Sequence, residues 1–180
     1  PSSSLLMPRQ EPVMRPSVAL PYQLYADGPL RDDKNNFELT MAAGNEIFGK
    51  QSAGSPFNVR FPGKYALQKD NFQSRASSSY AVIAGDRLKD SWPVSSFLDS
   101  VYHLQVYGPN GFYREFKGST HDPEITVTCE YERANSLIKR LSGNIVLQIT
   151  NLNPAQPYTI EIRDNAYKNK TVIKTLGARG

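Results

Sequence analysis

The run Asn36-Phe37-Glu38-Leu39-Thr40-Met41 alternates apolar with polar side chains, and an equivalent run returns as Asn144-Ile145-Val146-Leu147-Gln148-Ile149. Asn45 and Asn153 follow the two runs at the same constant offset. A proline-led strand pattern comes next in each place, Pro56-Phe57-Asn58-Val59-Arg60 and then Pro157-Tyr158-Thr159-Ile160-Glu161, with a shorter loop before the second. Recurrence of this kind marks a duplicated module, and the recurring unit is strand-built, which leaves helical folds little room. The first copy runs on through Leu88-Lys89-Asp90-Ser91-Trp92-Pro93 to the turn Tyr107-Gly108-Pro109-Asn110-Gly111-Phe112. The second reaches Gly180 where that stretch is expected to begin. The expectation is one complete module and one truncated module, cut from a longer polypeptide.

Period-2 alternation is the mark of a half-buried strand. It places strands at Tyr22–Tyr25, Phe37–Met41, Phe57–Phe61 and Tyr80–Ile83. Val101–Tyr107 and Phe112–Phe116 flank Pro109, Asn110 and Gly111, and Asn-Gly between β-rich runs is a strong hairpin signal because both residues tolerate positive φ. The second copy gives strands near 125–131, 144–150, 157–162 and 170–175. Gly44–Pro56 and Asn71–Ser79 read as loops, and Arg133–Leu141 as a loop in preference to a short helix. Helical periodicity is poor throughout. The fold class is therefore all-β, an antiparallel β-sandwich of immunoglobulin-like general architecture. Residues 1–17, with Pro1, Pro8, Pro12 and Pro16, form an extended linker. A first sandwich spans 18–118, Thr120–Pro123 is the junction, and a second, truncated sandwich spans 123–180.

Composition narrows the function classes. A 39% hydrophobic share is low, but ten tyrosines and eight phenylalanines still allow a core in a chain of 180 residues. The formal charge of +4 is spread along the chain rather than gathered in a block, so nucleic acid is not an expected partner. Cys129 is the only cysteine, which excludes an internal disulfide or a thiolate metal cluster. It sits in a strand-like run as a small buried or half-buried side chain. No apolar run approaches the ~20 residues that span a bilayer, and the N-terminus lacks the basic start and apolar stretch of an intact signal peptide.

The catalytic inventory is thin. His103 lies mid-strand and reads as structural, and His121 beside Asp122 reads as a turn and cap. Nucleophile elbows and phosphate-cradling glycine loops are absent. Asp32-Asp33 and Asp164-Asn165 lack the ladder of a calcium loop, so ordinary turn chemistry is the simpler account. No cofactor or metal is expected, and this fragment is not an enzyme by itself. Aromatics beside basic residues are the candidate lipid contacts: Phe48 with Lys50, Phe72 with Arg75, and Phe112-Tyr113-Arg114. Against this, Phe112, Arg114 and Phe116 share one strand face and Tyr113, Glu115 and Lys117 the other, so one set packs inward and the core is favoured for Phe112 and Phe116. Trp92 reads as a core plug.

Three strings coincide: Arg15-Pro16-Ser17-Val18-Ala19-Leu20-Pro21-Tyr22 leading into the first strand, Gly85-Asp86-Arg87-Leu88-Lys89-Asp90-Ser91-Trp92 before the Tyr107–Phe112 turn, and Ile162-Arg163-Asp164-Asn165-Ala166-Tyr167 in the second copy. Together they resemble the duplicated C-terminal domain of the bacterial phosphocholine-type phospholipases C, haemolytic and non-haemolytic, from about Arg15 onward. The resemblance implies a partner in the same parent chain, an N-terminal phosphoesterase domain that hydrolyses phosphatidylcholine or sphingomyelin. It also implies export from a bacterial cytoplasm and a non-catalytic region that helps engage a phospholipid membrane surface or stabilises the catalytic domain. No catalytic residue carries over. The alternatives are a ligand-free spacer or adhesion-like module and a carbohydrate-binding module. The chain departs from the family pattern by ending before the second copy's tryptophan-bearing and hairpin strands.

Overall fold

A computed structural model describes residues 20–31, 33–68, 71–74, 76–134 and 141–179. The expected 1–17 linker lies outside the described residues. The described chain is built from strands and short 3-10 turns. β1 (Leu24–Asp27), β2 (Asn36–Ala43), β3 (Ser55–Arg60), β4 (Lys64–Gln68), β5 (Asn71–Ser74), β6 (Ser77–Val82), β7 (Asp86–Pro93), β8 (Val101–Tyr107) and β9 (Tyr113–Ser119) make the first unit. β10 (Ile125–Arg133), β11 (Leu141–Asn151), β12 (Tyr158–Ile162) and β13 (Val172–Leu176) follow.

Every pairing is antiparallel. One sheet runs β1-β2-β7 and faces a second that runs β6-β3-β8-β9, while β4-β5 is a separate hairpin. The alternation read in the sequence is what joins the two layers. Phe37, Leu39, Met41 and Ala43 of β2 point inward at 1% exposure or less, opposite Phe57 and Val59 of β3 and Leu104 and Val106 of β8. Rings bridge the layers: Phe37 stacks on Tyr102 with centroids 4.6 Å apart, and Trp92 meets Phe61 edge-on at 5.6 Å. Each such apolar side chain contributes roughly 1.5–3 kcal/mol on leaving water.

The Asn71–Ser79 stretch, read as loop, instead supplies β5 and the first half of β6. Ser77, Ser78 and Ser79 pair with Arg60, Val59 and Asn58, and the Ser79 hydroxyl donates to Asn58 Oδ1 at 2.8 Å. Ladder bonds need only backbone groups, so a serine-rich segment beside a buried strand pairs despite its composition. β6 also stops at Val82, leaving Ile83 in the turn. The β8–β9 connection is wider than a two-residue hairpin. Pro109 opens a 3-10 turn, Asn110 and Gly111 take φ of 54° and 77°, and Gly108 N–H closes the loop on the Phe112 carbonyl at 2.9 Å.

In the second unit β10 pairs β11 from Ile125↔Asn151 to Tyr131↔Ile145, with a bulge before Arg133, and β12 pairs β13. The buried Asn151 amide ties the pairs together: its NH2 donates to the Gln156 and Gly177 carbonyls at 2.7 and 2.8 Å, and its oxygen accepts from Asn153 N–H. Specific contacts join this unit to the first. Cys129 N–H donates to Asp27 Oδ1 at 3.3 Å, Lys34 pairs with Glu124 at 3.6 Å, and Arg133 pairs with Glu46 at 2.5 Å. Tyr25 meets Tyr131 edge-on at 5.7 Å.

Candidate functional site

The antiparallel arrangement brings the β2–β3 loop, the β6–β7 turn, the β8–β9 turn and the segment entering β1 to one end of the first sandwich. Backbone bonds hold them together: Gly85 N–H to Ala43 O at 2.6 Å and Ala53 N–H to Pro21 O at 3.1 Å. The Asn110 side-chain amide adds a bond to Leu20 O at 3.2 Å.

Phe48 is held at the tip of its loop by three features. The buried Gln23 side chain accepts the Ile47 N–H at 2.9 Å and donates to Tyr25 Oη at 2.6 Å. Gly49 N–H closes a turn on Asn45 O, and Gly49 itself adopts φ 55°, where a Cβ would be strained. The ring is left 39% exposed, with Lys50 exposed beside it. On the neighbouring segments Ile83 is 72% and Leu20 59% exposed. Large apolar side chains are thus exposed on loops that share one end of the sandwich, with an exposed lysine on one of them.

The other expected contacts separate from this cluster. Phe112, just before β9, lies edge-on to Phe57 at 5.9 Å, and the Arg114 guanidinium covers it 4.9 Å from the ring centroid, so both turn toward the core side. Tyr113 is on the outer face, its ring 5.1 Å from that of Tyr107. Phe72 lies in β5, paired with Ala66, in a hairpin rooted beside the far end of β3. The Phe72 side chain and Arg75 lie outside the described residues. Trp92 packs in the core, and Pro109, Asn110 and Gly111 form the turn beside Leu20. Leu20 reads as lead-in and Ile83 as the last residue of a strand, so neither stands out in the sequence as a surface residue. The usable signal for Ile83 was its place just before Ala84-Gly85, one step past the buried Val82.

The titratable groups hold structure together. His103 Nε2 meets Glu115 at 2.6 Å on the exposed face of β8 and β9, and the Gln105 amide with the His103 ring brings the Glu115 carboxyl down to about 2. Asp122 accepts from Tyr102 Oη at 2.5 Å and from Ser119 N–H at 2.9 Å, which makes it the clasp of the junction. Burial, then this bond, pushes the Tyr102 hydroxyl well above its ordinary value. Asp164 accepts the N–H groups of Ala166 and Tyr167, an Asx turn, and Asp33 accepts that of Asn35. Among the described residues no three His, Cys, Asp or Glu side chains gather as metal ligands, and no helix is long and apolar enough to cross a membrane.

Comparison with known proteins adds a family. The family described as bacterial phospholipase C, C-terminal domain, matches residues 16–119, the stretch that contains β1 to β9. Non-hemolytic phospholipase C of Burkholderia pseudomallei is 34% identical over 162 residues, covering 84% of this chain and 19% of that protein. Non-hemolytic phospholipase C of Pseudomonas aeruginosa is 32% identical over 168 residues, 93% of this chain and 22% of that protein. Hemolytic phospholipase C of the same organism is 32% identical over 165 residues, 81% of this chain and 20% of that protein. The chain spans about a fifth of the length of these relatives.

Proposed function

The chain belongs to the bacterial phospholipase C family, of which it carries the C-terminal domain, and on that premise we propose that it is a non-catalytic accessory region of an exported phospholipase C. Its loop end would seat on the lipid interface while an N-terminal phosphoesterase domain of the same parent chain performs the hydrolysis. The observation that carries this reading is the exposure of Leu20, Phe48 and Ile83 on adjoining loops with Lys50 beside them. Such side chains gain by entering the headgroup region, at roughly 25 cal/mol per Å² of apolar area, while lysine keeps its ammonium among phosphates. The +4 charge adds attraction to an anionic surface.

Residues 123–180 fit the same proposal as the opening half of a second module. Ile125↔Asn151 stands to β10 and β11 as Leu24↔Ala43 stands to β1 and β2, and the β12–β13 pair parallels β3–β6. Among the described residues 125–179 no strand corresponds to β7, β8 or β9.

Vesicle flotation tests the lipid reading. Phosphatidylcholine vesicles should carry the protein in high salt, and Phe48→Ala with Ile83→Ala should abolish most of that binding. Flotation confined to anionic vesicles and lost with salt would reduce the effect to net charge. No flotation would leave a scaffold or spacer.

A further inference from the structure

A cleft of about 820 Å³ lies where the first sandwich meets β10 and β11, away from the loop end. We propose that it binds a single-chain anionic amphiphile, with the chain on the apolar floor and the anionic head at a cationic mouth. The floor is shared by both units: Leu30 and Phe116 from the first, Val127, Leu147 and Leu152 from the second. Val127 and Leu147 are 44% and 40% exposed, so this floor is open to a ligand rather than closed by packing. The volume is in the range of small-molecule sites, where apolar walls supply affinity and a few charged groups fix orientation.

The charges favour an anion. Four acids line the cleft, and each is engaged. Asp27 accepts the Cys129 N–H, and Glu115 accepts from Gln105 and meets His103. Asp122 holds Tyr102, and Glu124 pairs with Lys34 and accepts from Asn153. Arg114 also lines the cleft, with one NH2 directed to Cys129 Sγ at 3.4 Å. Arg31 and Lys117 from the first unit and Arg179 from the second line it too, and none of the three forms an ion pair with a described residue. Five cations (Arg31, Lys34, Arg114, Lys117 and Arg179) thus face four acids around the cleft, so its lining is net positive, and Lys117 and Arg179 bring positive charge to it from both units. An amphiphile bridging them would also fasten the second unit to the first.

The test uses the whole chain with dodecyl phosphate and dodecanoate below their micelle concentrations, and dodecyltrimethylammonium as the opposite charge. Isothermal titration calorimetry should show one site for an anionic amphiphile and none for the cationic one; a preference between phosphate and carboxylate identifies the head. Lys117→Glu with Arg179→Glu should weaken binding by about ten-fold, since each exposed charge contributes up to ~1 kcal/mol. Val127→Trp, which fills the floor from an exposed strand position, should abolish it, and a thermal melt confirms that each variant folds. Phe48→Ala should leave it unchanged, so this inference stands or falls apart from the vesicle reading. No binding by the unaltered chain, equal binding of the cationic amphiphile, or binding indifferent to Val127→Trp would overturn it.

Discussion

β2 and β11 carry closely similar patterns and meet opposite fates. Phe37, Leu39 and Met41 are at 1% exposure or less, whereas Ile145 and Leu147, at the matching positions, are 60% and 40% exposed. The difference lies in the neighbours. β2 is flanked by β1 and β7 and covered by the β6-β3-β8-β9 sheet; β11 has β10 as its paired neighbour among the described residues. Alternation makes a strand with one apolar face, but only a second layer converts that face into a core. β11 also contains no charged residue and no proline across Leu141–Asn151, so nothing in its own sequence guards its edge.

The sharpest test of this contrast is a matched pair of truncations. Leu39→Ala should cost about 2–5 kcal/mol in urea unfolding, because it opens a cavity in a packed interior. Leu147→Ala should cost under ~1 kcal/mol, because its side chain is already partly in water. Equal losses would mean that β11 is covered as β2 is. Trp92, the chain's only tryptophan, reports the first unit alone, so its fluorescence follows the Leu39 transition directly.

The junction should respond next. Asp122→Ala leaves the buried Tyr102 hydroxyl without its acceptor and should cost ~1–3 kcal/mol. Tyr102 titrates higher in the folded chain than unfolded, so its contribution is complete below the ordinary tyrosine value of 10.0 and falls as pH rises above it. A stability-pH profile measured with Tyr102→Phe should lose that decline.

A smaller effect belongs to Asp27, which accepts a bond from Cys129 across the two units. Desolvation raises its carboxyl above the ordinary 3.8, so the folded chain holds this proton more tightly than the unfolded one. The associated stability is present below 3.8 and declines as pH climbs through the folded value. Asp27→Asn keeps an acceptor for Cys129 N–H and removes the charge, so it should flatten that decline in a urea series run upward from pH 3.8. Phe48→Ala should be the quietest of all, within ~0.5 kcal/mol of the parent in unfolding, while reducing vesicle flotation. A large stability loss there would make Phe48 a packing residue and remove it from the contact surface.

The strands were legible where side chains alternate strongly. Phe37–Met41, Phe57–Val59 and Val101–Tyr107 are strands with the inward faces the pattern requires. Of β6, Tyr80–Val82 was legible as a strand but Ser77–Ser79 was not, since the pairing of those serines comes from β3 beside them. Within the candidate loop end, Phe48 and Lys50 could be read from an aromatic and a lysine among small residues. Gln23, which fixes that loop from the neighbouring segment entering β1, could not, because a glutamine between Tyr22 and Leu24 gives no local sign of a partner at Ile47.

The sequence by itself determined an all-β chain, the inward faces of its main strands and the turn at Pro109-Asn110-Gly111, because these follow from side-chain period and backbone preference within a few residues. The tertiary structure decided which apolar faces are covered, that Phe112 turns inward while Ile83 turns out, and that a cleft opens between the units. Each of those depends on what another segment, distant in sequence, places against the strand, and burial is settled only when both sides are present.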